Sequence, residues 1–310
     1  MTFPQDSYGI VRRQAMIGRG YTDRQLESYV ADGELIRLGY GCYAVGSALP
    51  DDERLRADEA YRLRCVGHAT SGRAKDVVLS HQSAAAVHRL PLLDPDRERV
   101  HTVNLSAGRG SILRRRHIHP GPVPRAEVVD VEGVSATSLE RTAVDVSCVA
   151  GFAGSLTTFD GTLRRGATRE GLERELRGRR RVGSAMADRG LAFADGVAES
   201  AGESLSRAYM IDGGVPMPRL QVRYRLPSQV AFVDFDWDGK LVGEFDGMVK
   251  YGRLLKRGQS VLDVVLREKK RQDEIERLGP KVIRWTWADV LSGQMLEDVR
   301  YWIRRLGIAA

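Results

Sequence analysis

Acidic side chains alternate with apolar ones in two strand-like runs of the C-terminal third of the chain. Because strand side chains point to opposite faces in turn, Asp234 and Asp236 are expected on one face of the first run. Glu244 and Asp246 are related in the same way in the second run. Carboxylate oxygens are the ligands that hard divalent cations such as Mg²⁺ prefer, so the two runs predict a metal site for phosphodiester chemistry. The same alternation is also typical of a hairpin with one wet face, and the pattern alone leaves both interpretations open.

The turn between the two runs decides whether their carboxylates meet. Asp238-Gly239 lies between them and is typical of a two-residue hairpin turn. Such a turn would pair Asp234 with Gly243 and direct it away from Glu244. A loop one residue longer, or a bulge, would place Asp234 opposite Glu244. A metal site therefore requires the longer loop.

Length and composition predict a soluble globular protein. The 310 residues are enough for two or three domains, and 42% hydrophobic with 29% charged residues is ordinary for a globular chain. No run approaches about eighteen apolar residues, and the first residues lack the basic and apolar regions of a signal peptide. We therefore expect a cytoplasmic protein with no membrane partner.

The formal charge of +7 and the pI near 9.4 favour a polyanionic partner. Arginines are concentrated at Arg114-Arg115-Arg116 and between Arg177 and Arg181. These clusters could gain binding energy by releasing counterions from phosphates. Solvated loops are the alternative interpretation.

Cysteines and histidines do not predict a zinc site. Cys42, Cys65 and Cys148 are widely spaced, which favours buried thiols over a disulfide framework or thiolate ligands. His117 and His119 are two residues apart and would share a strand face. No further ligands stand at zinc spacing in the sequence, so we do not expect zinc.

The first fifty residues show the signals of a helix-turn-helix followed by a hairpin. Val11, Ala15 and Met16 predict a first helix, and two glycines end it. Thr22 and Gln25 form a capping box that starts a second helix. Two short apolar runs with a Gly-Tyr-Gly tip then predict a hairpin, whose tip would reach a DNA backbone.

This segment, GIVRRQAMIGRGYTDRQLESYVADGELIRLGYGCYAV, is similar to the N-terminal winged helix of AbiEi-type abortive-infection antitoxins. The resemblance implies DNA binding and autoregulation. In a winged helix the second helix usually enters the major groove and directs its exposed side chains to bases. The predicted DNA contacts are Arg24 and Gln25 at bases, and Arg12, Arg13 and Arg37 at phosphates. A protein-docking module with the same fold is the alternative.

The middle segment, from 51 to 195, carries two motifs, SHQSAAA from Ser80 and ATSLERTAVD from Ala136. Both resemble motifs of longer actinobacterial proteins with this type of N-terminus. His81, Glu140 and Arg141 could form a site, but a helix-packing scaffold with a satisfied polar pair is the favoured interpretation. We expect a mixed α/β domain without an assigned chemistry.

The last segment predicts the element order helix, three strands, helix, strand, helix. With its acidic hairpin, this order resembles the PD-(D/E)XK nuclease superfamily, closest to the very-short-patch-repair-like endonuclease domains of bacteria. The resemblance covers about Glu199 to Ala288. Its matching pieces are 203–207, 218–221, 233–235, 244–247, 267–273, 278–279 and 282–284.

The resemblance assigns the metal ligands. Asp234 matches the first-strand ligand and Glu244 the second-strand acid, which together would hold Mg²⁺ or Mn²⁺. Glu203 matches the helix carboxylate beside that metal. Alternatively, Glu203 caps the helix instead of binding metal. Ser200, three residues earlier, would form a capping box with it, in which Glu203 binds the Ser200 amide.

The usual lysine of the superfamily would lie two positions after Glu244, where this chain has Asp246. That lysine orients water and stabilises the transition state. Lys250 on the following loop, or Lys269 on the next helix, could supply the cation instead. The predicted catalytic set is Asp234, Glu244, Glu203, Asp246, Lys250 and Lys269. Arg267 and Arg271 on that helix are predicted phosphate contacts, with a solvated face as the alternative.

The sequence thus predicts an α/β (α+β) multidomain protein with a winged helix at 1–50, a mixed α/β domain at 51–195 and a PD-(D/E)XK nuclease-like domain at 196–310. We expect a DNA endonuclease dependent on Mg²⁺ or Mn²⁺ that binds double-stranded DNA, in restriction or defence against foreign DNA. The alternative is an AbiEi-like transcriptional regulator or antitoxin with an inactive nuclease fold, which Asp246 favours. A homodimer is left open, because no heptad pattern indicates one.

Overall fold

The computed structural model describes residues 2–72, 77–105, 108–247 and 261–309, and for 261–265 it describes the backbone alone. The chain is an α/β protein with two compact units. Among the described residues, no helix is both long and apolar enough to cross a membrane. Unit 1 comprises Met1–Val149 and Glu170–Val182, and unit 2 comprises Ala150–Arg169 and Gly183–Ala310.

Unit 1 begins with a helix-turn-helix flanked by short strands. Its elements are β1 (Ile10–Arg12), α1 (Arg13–Gly18), α2 (Asp23–Ala31), β2 (Leu35–Gly39) and β3 (Cys42–Val45). Strand β3 pairs antiparallel with both others, so the order is β1-β3-β2. Thr22 caps α2 in a capping box with Gln25, as predicted. The prediction of a helix at Val11 is wrong, because Val11 pairs with Tyr43 in β1 and is fully buried there.

The rest of unit 1 is a six-stranded mixed sheet with helices. Its elements are α3 (Glu53–Ala69), β4 (Val77–Leu79), α4 (His81–Val87), β5 (Val100–Asn104), β6 (Ser111–Leu113), β7 (Arg116–His119), β8 (Val128–Val131), β9 (Val134–Thr137) and α5 (Leu139–Ser147), and, after α6 (Gly151–Arg164) of unit 2, α7 (Arg169–Arg177). The strand order is β6-β7-β5-β4-β9-β8, in which the β5–β7 and β4–β9 pairs are parallel.

One apolar core joins both parts of unit 1. Ile10 and Cys42 of the small sheet, Cys65 of α3, and Leu79 and Ala136 of the large sheet are all buried in it. The domain boundary predicted at residue 50 therefore falls inside one compact unit. The three cysteines of the chain are buried, as predicted.

Unit 2 is a four-stranded sheet with helices. Besides α6, its elements are α8 (Ser184–Phe193), α9 (Ala201–Asp212), β10 (Arg219–Arg225), β11 (Val230–Trp237), β12 (Leu241–Phe245), α10 (Val261–Glu276), β13 (Lys281–Trp285), α11 (Trp287–Ser292) and α12 (Gln294–Arg305). The order is β10-β11-β12-β13, and only the β12–β13 pair of this sheet is parallel. From α9 onward the predicted element order is confirmed, except that the closing helix is two helices. They are divided at Gly293, whose φ is 83°.

A buried ion pair connects α6 to α9 within unit 2. Asp160 is fully buried. It accepts hydrogen bonds from Arg207 Nη1 and Ser204 Oγ, both at 2.7 Å, and from the Asp195 amide at 2.9 Å. Because each of these donors compensates the buried charge of Asp160, the network holds α9 in place relative to α6.

Candidate active site

The acidic hairpin has the register that a metal site requires. Phe235 pairs with Gly243 and Trp237 with Leu241, which leaves a three-residue loop, 238–240, between the strands. The Lys240 amide closes the loop on the Trp237 carbonyl at 3.0 Å. Continued by one pair, this register places residue 234 opposite residue 244. The longer of the two loops considered from sequence is therefore the one that forms.

Asp234 lies where the β11–β12 ladder opens. Its half-buried carboxylate accepts hydrogen bonds from the Phe245 amide at 2.8 Å and from Gln221 Nε2 at 3.1 Å. Gln221 has a φ of 48°, a left-handed conformation that is uncommon for a residue other than glycine. Such backbone strain is concentrated at functional sites, because it persists only where surrounding contacts enforce it.

Glu203 comes to the same place from α9. The Ser200 hydroxyl caps this helix by accepting from the Glu203 amide at 3.1 Å. The Glu203 carboxylate binds the Glu199 amide at 2.8 Å, in place of the Ser200 amide predicted from the capping box. It also accepts from Gln221 Nε2 at 3.0 Å. One amide group therefore bridges Glu203 and Asp234.

A glycine lets α9 approach β12 closely enough for this arrangement. A Cβ atom at Gly202 would lie 2.1 Å from the ring of Phe245, which is closer than side chains tolerate. The helix is therefore in direct contact with the strand that carries Glu244. The position of Glu203 depends on this contact.

Glu244 is buried and held by two arginines. Its carboxylate lies 2.5 Å from Arg271 Nη2 and 2.9 Å from Arg284 Nη2. Glu268 on α10 forms longer ion pairs with the same two guanidinium groups, at 3.4 and 3.6 Å. With Asp234 and Glu203, the site contains four carboxylates and two guanidinium groups, so acidic groups are in excess.

This excess changes the protonation of Asp234. Burial, and then repulsion from Glu203 and Glu244, raises the pKa of Asp234 from 3.8 to about 7, against the opposing hydrogen bond from Phe245. A carboxyl that retains a proton near neutral pH beside other carboxylates is a marker of functional sites. A cation can replace that proton and remove the repulsion.

The donor set fits a hard divalent cation. Asp234, Glu203 and Glu244 offer carboxylate oxygens, each with two lone pairs. Glu203 Oε2 already accepts two hydrogen bonds, so Glu203 would bind an ion through its other oxygen, Oε1. Oxygen donors of this kind suit Mg²⁺ and Mn²⁺.

The remaining predicted catalytic residues are Asp246, Lys269 and Lys250. Asp246 is half-buried directly after β12, and its amide donates to the Trp285 carbonyl at 2.8 Å. Lys269 is exposed on α10, about 100° around the helix from Glu268 and about 200° from Arg271, so it leaves the helix away from Glu244. Lys250 lies outside the described residues.

The predicted DNA contacts on α10 have different surroundings. Arg267 is exposed to solvent. Arg271 is half-buried and directed at Glu244, so it belongs to the acidic site rather than to an open helix face.

Of the DNA contacts predicted in unit 1, Arg24 is exposed on α2. Gln25 is also exposed, and its side chain accepts from the Thr22 amide at 2.9 Å. Arg13 and Arg37 are exposed partners in ion pairs, with Asp23 at 2.6 Å and with Glu27 at 2.5 Å, respectively. Such exposed pairs exchange readily for phosphate, because they contribute little stability.

Arg12 has an internal structural role. Its guanidinium donates to Asp6 at 2.8 Å, to Thr70 Oγ1 at 2.6 Å and to the Gly67 carbonyl at 3.4 Å. A contact from Arg12 to DNA, as predicted from sequence, would require it to give up these partners.

Two residues of the acidic site were missed as site residues from sequence. Gln221 and Arg284 were recognised only as parts of the matching segments 218–221 and 282–284. Their roles depend on contacts with residues far away in the chain, Glu203 and Asp234 for Gln221 and Glu244 for Arg284. A polar side chain at an inward strand position is the one local signal that could have indicated either.

The fold and this site define an α/β protein with a helix-turn-helix in one unit and a buried carboxylate cluster in the other. No protein-family model matches the chain. Over 290 residues it is 31% identical to uncharacterized protein Rv2248 of Mycobacterium tuberculosis strain H37Rv, and equally to uncharacterized protein MT2308 of strain CDC 1551. Each match covers 90% of this chain and 92% of the relative. The chain belongs to the same family as these two mycobacterial proteins.

Proposed function

We propose that this protein is a metal-dependent DNA endonuclease, with its active site in unit 2 and a DNA-binding helix-turn-helix in unit 1. The observation that carries the proposal is that Gln221 Nε2 binds both Glu203 of α9 and Asp234 of β11, and that the hairpin register places Asp234 opposite Glu244 of β12. The raised pKa of Asp234 supports it, because a cation would relieve the same repulsion. The resemblances to PD-(D/E)XK nucleases and to AbiEi-type winged helices point to the same function.

In this proposal Asp234 and Glu244 hold Mg²⁺ or Mn²⁺, with Glu203 beside them. A bound ion of this kind activates a water molecule and neutralises charge on the scissile phosphate. Gln221 orients two of the carboxylates through its single amide group. The Phe245 amide fixes the second oxygen of Asp234.

The cation that the superfamily places two residues after Glu244 comes from elsewhere in this chain. Arg271 and Arg284 bring two guanidinium groups within 2.9 Å of the Glu244 carboxylate. A guanidinium remains charged at any physiological pH and binds phosphate oxygens well. We therefore assign to these arginines the stabilisation of transition-state charge that Lys250 and Lys269 were predicted to provide.

Cleavage of supercoiled plasmid tests the proposal. Wild-type protein with Mg²⁺ or Mn²⁺ is expected to give nicked or linear DNA, and Asp234→Asn and Glu244→Gln are expected to abolish cleavage. Asp238→Asn is the matched control, since it makes the same change of charge at an exposed loop position of the same hairpin. Tryptophan fluorescence of each variant checks that unit 2 is folded. Supercoiled DNA that survives across metals and substrates would refute the nuclease.

A transcriptional regulator or antitoxin with an inactive nuclease fold is the second candidate. It is favoured by Asp246 at the usual lysine position and by the two arginines that already neutralise Glu244. Footprinting on the promoter of the protein's own gene distinguishes the two. Protection of a preferred sequence without cleavage by folded protein would support the regulator.

A further inference from the structure

Unit 1 contains a histidine cluster that plays no part in the proposed nuclease. His101 lies on β5, and His117 and His119 lie on the parallel neighbouring strand β7. The register pairs residue 101 with residue 117 and residue 103 with residue 119. Because strand side chains alternate, His117 and His119 share one face, and the parallel register brings His101 to the same face.

The ring nitrogens of these three residues converge. One nitrogen from each lies within 4.8 Å of one nitrogen from each of the others. His101 Nδ1 and His119 Nε2 are 2.9 Å apart, and the rings of His117 and His119 stack at 3.9 Å between centroids. His101 Nδ1 and His119 Nε2 share a hydrogen bond, so these are the two nitrogens that face each other and could bind one ion.

We propose that His101, His117 and His119 form a binding site for a divalent transition-metal ion of the Zn²⁺ type. Imidazole nitrogen is a preferred ligand of Zn²⁺, and three histidines with an open fourth position are a known zinc coordination. Two nitrogens bound tetrahedrally to one Zn²⁺ at about 2.0–2.1 Å lie about 3.3 Å apart. To accept the ion, His101 Nδ1 and His119 Nε2 would separate by about 0.4 Å and give up the hydrogen bond between them.

The protonation of the cluster supports this assignment. Burial, and then repulsion from His117, lowers the pKa of His101 to about 4. Burial, and then repulsion from His81, lowers the pKa of His119 to about 2, and burial also lowers the pKa of His117. The imidazoles are therefore neutral at physiological pH, which is the form that binds metal.

The residues around the cluster pack against its rings, and the arginines among them are paired with acids. His81, at the start of α4, stacks on His119 with ring centroids 3.5 Å apart, and forms one wall of the site. Three nearby arginines are each paired with an acid of unit 1. These ion pairs are Arg99–Asp96, Arg141–Glu127 and Arg181–Glu175, and Asp145 binds both Arg141 and Arg181.

Such a site differs from the carboxylate site in the ion that it selects. Nitrogen ligands favour Zn²⁺, Co²⁺, Ni²⁺ or Cu²⁺, whereas carboxylates favour Mg²⁺ and Mn²⁺. A metal bound to all three histidines would also join β5 to β7 and so stabilise unit 1. Both consequences are measurable without any nuclease activity.

Cobalt titration tests the inference. Full-length protein, freed of any histidine tag and treated with EDTA, is titrated with Co²⁺, whose visible absorption reports nitrogen coordination, and Zn²⁺ is then added in competition. In excess Mg²⁺, which occupies the carboxylate site, we expect one Co²⁺ per chain with the spectrum of nitrogen coordination, displaced by Zn²⁺. His117→Gln is the main variant, because His117 is half-exposed and its loss is tolerated best by the fold. Its affinity is expected to fall by more than the about 10- to 100-fold that loss of an outer-shell partner costs.

Two control variants separate this site from other sources of binding. His88→Gln changes a histidine outside the triad, whose Nε2 binds the Thr137 carbonyl at 2.8 Å, and should bind Co²⁺ like the wild type. Asp234→Asn removes the carboxylate site of unit 2 and should also leave Co²⁺ binding unchanged. The inference is overturned if folded wild-type protein binds neither Co²⁺ nor Zn²⁺, or if His117→Gln binds them as tightly as His88→Gln does. Failure of the nuclease proposal would leave either result unaffected.

Discussion

Replacing Asp234 by Asn tests the electrostatics of the carboxylate site through the stability of unit 2. In metal-free wild-type protein the folded state keeps a proton on Asp234 up to about pH 7, whereas the unfolded chain loses it at about pH 3.8. The stabilising contribution of this group is therefore fully present below about pH 4 and is lost as the pH rises to about 7. Asn at this position is neutral at every pH, so the variant should lack that loss.

The size of the effect follows from the pKa. Each pH unit between the two pKa values costs about 1.4 kcal/mol, so the full change is at most about 4 kcal/mol. Between pH 5 and pH 7.5 the upper limit is about 3 kcal/mol. Because Asp234 is half-buried, solvent screening reduces the expected change to about 2 kcal/mol.

The measurement is urea unfolding in EDTA at pH 5 and pH 7.5, followed by tryptophan fluorescence. All four tryptophans of the chain, 237, 285, 287 and 302, are in unit 2, so the signal reports that unit alone. The difference in free energy of unfolding, wild type minus Asp234→Asn, should fall by about 2 kcal/mol from pH 5 to pH 7.5. Asp238→Asn on the exposed hairpin loop should show no such change. A difference that stays constant with pH would refute the argument that Asp234 is buried against Glu203 and Glu244.

Three further changes have definite expected outcomes. Gly202→Ala should destabilise unit 2 by about 1–3 kcal/mol in the fluorescence assay, because the new methyl group would lie 2.1 Å from the Phe245 ring. This loss should outweigh the higher helix propensity of Ala. Equal or higher stability of the variant would contradict the prediction. Asp160→Ala should cost about 3–5 kcal/mol by removing the fully buried partner of the Arg207 guanidinium, whereas the exposed Asp188→Ala should change stability by less than about 0.5 kcal/mol. The double variant Arg114→Ala/Arg115→Ala should make DNA binding less dependent on salt. The slope of log K against log salt concentration should become shallower by up to about 0.9 for each phosphate that these arginines neutralise. An unchanged slope would exclude phosphate binding by the turn that carries them.

Local signals in the sequence predicted much of unit 2. Ser200 before an amphipathic run correctly marked the start of α9, and alternating apolar residues marked both strands of the hairpin. These signals are carried by neighbours in the chain, so one sequence is enough to detect them. The length of the loop between the strands could not be predicted, because a two-residue and a three-residue loop suit Asp238-Gly239 about equally well. The sequence showed only that a metal site requires the longer loop.

Groups formed by distant segments were not predictable in this way. The histidine cluster depends on a parallel pairing of β5 with β7, which places His101 beside His117 and His119. Parallel neighbours require a crossover connection, and nothing in the spacing of the histidines indicates which strands will be adjacent. The absence of a zinc ligand pattern in the sequence therefore said little about whether the folded chain could bind a metal.

The sequence also could not show which of the many arginines are paired inside the fold. The structure shows some of these pairs, which reduces the set of arginines that could bind DNA. Arg179 and Arg181, predicted as part of a basic cluster, form ion pairs inside unit 1 with Glu127, Asp145 and Glu175. Paired charges cancel, so the net charge of +7 must be carried by cations without internal acids.

Arg114 and Arg115 are exposed at the turn between β6 and β7. The Tyr40 hydroxyl, at the tip of the β2–β3 hairpin, donates to the Arg115 carbonyl at 3.1 Å. The tip that a winged helix would direct at the DNA backbone therefore lies against an exposed pair of arginines from a different part of unit 1. A phosphate backbone that touched the hairpin tip would also be within reach of these arginines. Their removal is consequently a more specific test of DNA binding by this unit than removal of Arg12, which the fold itself requires.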